Sequence, residues 1–91
     1  MVTDTLFLIA TCPPPDWMSQ AIEEARSTPG GGSVAVLLMG EGVFNAKDQF
    51  PDALVLARDA VGRGVSPGDR ALTDHEAARW ILNSRRVITS T

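Results

Sequence analysis

Continuous apolar runs alternate along this chain with amphipathic stretches, and the alternation sets out a mixed α/β domain. Residues 4–10, 33–39 and 53–57 are dominated by apolar side chains without the every-second-residue spacing of a strand that has one wet face. Short apolar runs bounded by turn residues predict strands covered on both faces, which requires helices above and below a mostly parallel sheet. Pro13, Pro14 and Pro15 end the first run, because proline has no amide to give to a sheet ladder. Asp16 is placed to cap the helix that follows, and Trp17, Met18, Ala21, Ile22 and Ala25 recur at helical spacing as its buried face. Thr28-Pro29-Gly30-Gly31-Gly32 closes that helix before the second strand. Residues 41–51, with Phe44 and Phe50, predict a loop or broken helix, and residues 59–63 leave room for one or two helical turns before Gly64. Ser66-Pro67-Gly68-Asp69 reads as a turn, and Ala71 and Leu72 as a very short fourth strand.

The last third carries the best-specified local signal. Thr73-Asp74-His75-Glu76 has the capping-box pattern, in which the Thr73 hydroxyl and the Glu76 carboxylate satisfy each other's backbone amides, with Leu72 and Ala77 as the hydrophobic staple. Ala77, Ala78, Trp80, Ile81 and Leu82 predict a broad buried helix face, Asn83-Ser84 a stop, and residues 87–89 the final strand. The sum is an α/β fold: a three-layer unit with a small, mostly parallel sheet of four or five strands.

Composition adds partners to this picture. Ninety-one residues make one small domain, residues 1–91, and a domain of that size buries proportionately little surface. With 44 % hydrophobic residues, and with Phe7, Trp17, Phe44, Phe50 and Trp80 to hide, the chain is expected to form a homo-oligomer or to bury part of its surface against another subunit. The net charge is −3, and no basic cluster emerges, which argues against direct nucleic-acid binding; Arg85-Arg86 reads as a solvated helix end or edge. Residues 5–10 lack the basic leader of a signal peptide, and no stretch approaches the roughly 20 apolar residues of a membrane span. Cys12 is the only cysteine, so neither an intrachain disulfide nor a thiolate-rich metal site is expected. A cytoplasmic protein with no membrane contact, metal or cofactor is the resulting expectation.

Candidate chemistry concentrates where parallel sheets meet ligands, beyond the carboxyl ends of the strands. Gly40-Glu41-Gly42-Val43-Phe44 follows the second strand there. Its glycines can adopt crowded or left-handed conformations that expose amides, and Glu41 repels anions and favours a protein or cationic partner. Gly30-Gly31-Gly32-Ser33 precedes a strand and lacks the Walker lysine, so it reads as a turn. Asp59 is expected to cap the short helix that carries Arg63, a structural role like that of Thr73 and Glu76, and His75 is expected on the surface. Cys12 has two readings. A thiol at the end of a strand and just before a helix lies near amides that stabilise a thiolate, whereas three intervening prolines and the lack of a nearby Lys or Arg favour a small buried packing residue.

Three stretches in this order carry a family likeness: Val36-Leu37-Leu38-Met39-Gly40-Glu41-Gly42-Val43-Phe44-Asn45-Ala46, then Leu54-Val55-Leu56-Ala57-Arg58-Asp59-Ala60-Val61-Gly62-Arg63-Gly64-Val65, then Leu72-Thr73-Asp74-His75-Glu76 with Trp80 and Arg86-Val87-Ile88-Thr89-Ser90. Together they resemble the DsrE/DsrF/DsrH-like superfamily, and within it the DsrH branch, also called TusB, of sulfur-relay proteins. The resemblance implies a small subunit that assembles with related DsrE/DsrF-like subunits and takes part in handing persulfide sulfur between proteins, toward tRNA thiolation or in sulfur oxidation. DsrE-type subunits carry the sulfur on a cysteine, and residues 40–91 of this chain contain none. The implied role is therefore an accessory subunit rather than the main carrier. Two alternatives stand beside it: a small oligomeric binding or scaffold protein without sulfur chemistry, and a sulfurtransferase acting through Cys12.

Overall fold

A computed structural model describes residues 3–45 and 49–90. Five strands, β1 (Thr3–Ile9), β2 (Val34–Leu38), β3 (Leu54–Leu56), β4 (Ala71–Leu72) and β5 (Ser84–Thr89), form one sheet in the order β4-β3-β2-β1-β5, and every neighbouring pair is parallel. Three helices, α1 (Asp16–Ser27), α2 (Ala57–Gly62) and α3 (Asp74–Asn83), connect them, and a 3₁₀ turn occupies Gly40–Phe44.

The continuous apolar runs are explained by two separate packing layers. Phe7, Ile9, Val36 and Leu38 project to one face, where they meet Met18 and Ile22 of α1 and Ala60 of α2. Leu6, Leu37, Leu54, Leu56 and Leu72 project to the other face, against Ala77 of α3. Alternate side chains of one strand thus enter different cores, so β1 is apolar at consecutive positions. At the amino end of β1, Asp4 Oδ2 accepts from Ser33 N at 2.9 Å and the Asp4 amide donates to Ser33 Oγ at 3.1 Å, which joins the starts of β1 and β2.

Several local expectations are corrected. Asp16 does not cap α1: Pro15 occupies that position, its carbonyl accepts from Met18 N, and Asp16 lies in the first helical turn, where its charge still suits the positive helix end. Trp17 lies outside the core at 46 % exposure, because Met18 and Ile22 fill the sheet-facing side of the helix. On α3 only Ala77 is buried; Trp80 and Ile81 are half-covered, Ala78 is exposed and Leu82 is 82 % exposed, so the broad buried face narrows to one stripe. The final strand starts three residues earlier than the apolar pattern suggests, because Ser84 and Arg86 pair with Thr3 and Thr5 of β1 despite their polarity.

Candidate functional site

The carboxyl edge of the sheet is assembled from three segments: residues 10–15 after β1, the 3₁₀ turn after β2, and α2 directly after β3. The turn seats on β1. Met39 N donates to Ile9 O at 3.0 Å, and Gly42 lies so close to the end of β1 that a Cβ there would overlap Ile9 O. Gly40 has φ +52°, a left-handed conformation that glycine adopts without penalty. Gly42 and Val43 are buried beneath the turn, while Glu41 and Phe44 face solvent, Phe44 at 47 % exposure.

Asp59 does not cap α2. Leu56 holds the cap position without a side-chain bond, and Asp59 reaches across to accept from Gly40 N at 2.6 Å. Arg63 follows the last residue of α2 rather than riding on it; its Nε donates to Glu41 Oε2 at 2.5 Å, and its Nη1 lies 3.9 Å from Asp59 Oδ1. The hydrogen bond to Glu41, with the charges of Glu41 and Asp59 behind it, raises the Arg63 pKa above its ordinary value despite some opposing desolvation. Glu41 is thereby partly neutralised within the chain. Asp59, within α2, and Arg63, just after it, both reach the glycine turn, Asp59 through Gly40 N and Arg63 through Glu41, where a cap on α2 was expected of Asp59.

Two residues that the sequence did not mark complete the edge. Asn45 is buried, and its Nδ2 donates to Thr11 O at 3.0 Å and to Gly42 O at 2.9 Å, joining the loop after β1 to the glycine turn. Ser90 is buried just beyond β5, where its Oγ accepts from Ala10 N at 2.8 Å and its own amide donates to Leu8 O. A buried Asn directly after a glycine turn is the kind of signal that could have been read, since a planar amide offers two donors to two loop carbonyls.

Cys12 is exposed, which corrects the buried-packing reading of its thiol. It follows Thr11, whose buried hydroxyl has no hydrogen-bond partner, and precedes a cis peptide bond to Pro13. Among the described residues no basic side chain forms a hydrogen bond or ion pair with Cys12. The sequence-marked site therefore divides. Cys12 and residues 40–44 share one edge, connected through Asn45; Thr73 and Glu76 build the capping box of α3, and His75 is exposed beside them. Residues 46–48 of the expected 41–51 loop lie outside the described residues. Beside the turn, a groove of about 260 Å³ is lined by Leu38, Val43, Asn45, Phe50, Val55 and Val65, among others.

No family model matches the chain, and no curated protein or solved structure matches it either. Among the described residues no helix is long and apolar enough to cross a membrane, and no three His, Cys, Asp or Glu side chains gather as metal ligands.

Proposed function

We propose that this chain is a subunit of a sulfur-relay assembly of the DsrE/DsrF/DsrH kind, acting as a docking and positioning partner rather than as the principal sulfur carrier. The observation that carries the reading is the carboxyl edge itself. The glycine turn is fixed from below by Asp59 and from the side by Asn45, so that it presents Phe44 to solvent, while Cys12 stands exposed on the same edge with no ion pair or hydrogen bond from a basic side chain among the described residues. Persulfide transfer requires a thiolate on the accepting side, and an unassisted thiol is a slow acceptor. A partner subunit whose own cysteine performs the attack fits this edge. The order of the three motif stretches, and a small parallel sheet with helices on both faces, support the same assignment.

The test is sedimentation of the chain with a cysteine-bearing DsrE-type subunit from the same cell, followed by mass spectrometry after treatment with glutathione persulfide. A stable complex is expected, with at least about tenfold weaker binding for Phe44→Asp, the loss typical of an exposed aromatic anchor. The added sulfur is expected on the partner's cysteine. Absence of any complex at micromolar concentrations overturns the assignment.

The exposure of Cys12 favours one second reading, a sulfurtransferase acting through that thiol. Gain of one sulfur atom on Cys12, with transfer abolished by Cys12→Ser, selects it.

A further inference from the structure

The groove beside the glycine turn lies where the α1 side of the sheet is thinly covered. α1 gives Met18 and Ile22 to that layer, whereas α2, six residues and about 9 Å long, gives only Ala60. From α2 the chain returns to β4 without another helix. Val55 of β3 is left half-buried on this face, and with Leu38, Val43, Phe50 and Val65 it lines an apolar space of about 260 Å³. Asn45 borders the same space and is only 7 % exposed. Its Nδ2 spends both hydrogens on Thr11 O and Gly42 O, and neither of those residues lines the groove. Carbonyls can only accept, so these two bonds also fix which end of the amide is the nitrogen. Oδ1 accepts no hydrogen bond among the described residues. Nor is that oxygen sealed in the interior, since among the described residues Thr11 Oγ1 alone is a buried side-chain oxygen or nitrogen without a partner. The open space that Asn45 borders is the groove, so a buried residue turns a spare acceptor toward an apolar surface. Charge in the lining is confined to Asp69 and Arg70, which are exposed and opposite in sign, with Arg70 Nη2 4.0 Å from Asp52 Oδ1.

We propose that this groove binds a small uncharged ring compound carrying one N–H or O–H donor, with its rings against Leu38, Val43 and Val55 and its donor on Asn45 Oδ1. An apolar lining with a few placed polar groups is the usual make-up of a small-molecule site, and the volume falls just below the ~300–1,000 Å³ of sites for drug-sized ligands. The occupant therefore has one or two rings. A charged group buried without a partner is costly, and the only charges at the groove are of opposite sign and already near a counter-charge or solvent, so neither an anion nor a cation is favoured. A ligand of the same shape without a donor takes water away from Oδ1 and leaves it unpaired, which makes Asn45 the residue that sets specificity. The site shares Asn45 with the edge that carries the sulfur-relay reading, but it uses neither Cys12 nor Phe44 and does not depend on that reading.

Indole is the probe, titrated into the full chain and followed by proton–nitrogen correlation spectra. Saturable shifts are expected at the Asn45 side-chain amide and at the backbone amides of Val43, Val55 and Val65. Benzofuran, the same two rings with oxygen in place of the N–H, is expected to bind at least about tenfold more weakly, the loss that goes with one buried hydrogen bond. An indole carboxylate, which keeps the donor and adds a charge, is expected to bind no more tightly than indole. Val65→Phe adds bulk to the groove wall and is expected to abolish the indole shifts while the rest of the spectrum is kept. The site is overturned by the absence of saturable shifts at millimolar indole, by shifts centred away from these residues, or by indole binding retained in a folded Val65→Phe. Equal binding of benzofuran overturns the Asn45 contact, and tighter binding of the carboxylate overturns the uncharged class. If Val65→Phe does not fold, the contrast between indole and benzofuran decides alone.

Discussion

Gly42 sits where a methyl group has no room, because the 3₁₀ turn lies directly against the carbonyl that ends β1. Gly42→Ala must either displace the turn or bend the end of β1, and overpacking of this kind typically costs about 1–3 kcal/mol. A lowered urea midpoint with unchanged slope is the expected result. The two side chains that hold the turn separate by magnitude. Asp59 makes a charged, half-buried hydrogen bond to Gly40 N, so Asp59→Ala is expected to cost about 1.5–3 kcal/mol, the range for hydrogen bonds to ionised groups. Arg63 pairs with a Glu41 side chain that is 63 % exposed, and solvent screens such pairs, so Arg63→Ala is expected to cost clearly less. Denaturation of the two variants side by side checks the order; a larger loss for Arg63→Ala would mean that the Glu41 pair, not the Gly40 bond, fixes the turn.

Among the elements, α3 depends most on its own sequence. Thr73 Oγ1 accepts from Glu76 N at 3.1 Å and Glu76 Oε1 accepts from Thr73 N at 2.9 Å, the reciprocal bonds of the capping box, and Leu72 and Ala77 join the same buried cluster below it. Thr73→Ala is expected to cost about 1 kcal/mol, the usual loss of an N-cap. The bond from the Thr73 amide, then that from its hydroxyl, holds the Glu76 pKa below its ordinary value of 4.5. A carboxylate with a depressed folded pKa contributes stability that is complete above the unfolded value and fades as acid protonates the folded state. The stability gap between wild type and Glu76→Gln should therefore be full near neutral pH and close as the pH falls below the ordinary carboxylate value. Urea titrations across that interval measure it, and a gap that widens in acid reverses the assigned sign. α1 shows the opposite dependence: with no side-chain cap, it is held by the burial of Met18 and Ile22.

At the scale of the whole molecule, stability rests on β1, whose Leu6 and Phe7 are completely buried in opposite layers. A domain of this size is stable by roughly 5–14 kcal/mol, so Phe7→Ala, at about 3–5 kcal/mol, is expected to remove much of that margin, whereas Leu82→Ser on the exposed side of α3 should change it by less than about 0.5 kcal/mol. Thermal unfolding of both variants checks the contrast. The parallel α/β architecture was legible in the chain because strands covered on both faces must be apolar at consecutive positions, and the capping box of α3 was legible because its partners are three residues apart. The same holds for the very short β4, framed by a turn and a cap. Tertiary structure alone decided the rest. Asp59 supports Gly40 from nineteen residues away and Ser90 anchors Ala10 across eighty, so no local pattern marks either role. Trp17 and Leu82 are exposed because hydrophobic periodicity records what a helix could bury, whereas three helices of twelve, six and ten residues over a sheet of five short strands limit what there is to bury it against. The environment of Cys12 was settled in the same way: composition allows one small residue inside or out, and only the packing of the strand ends placed it in solvent.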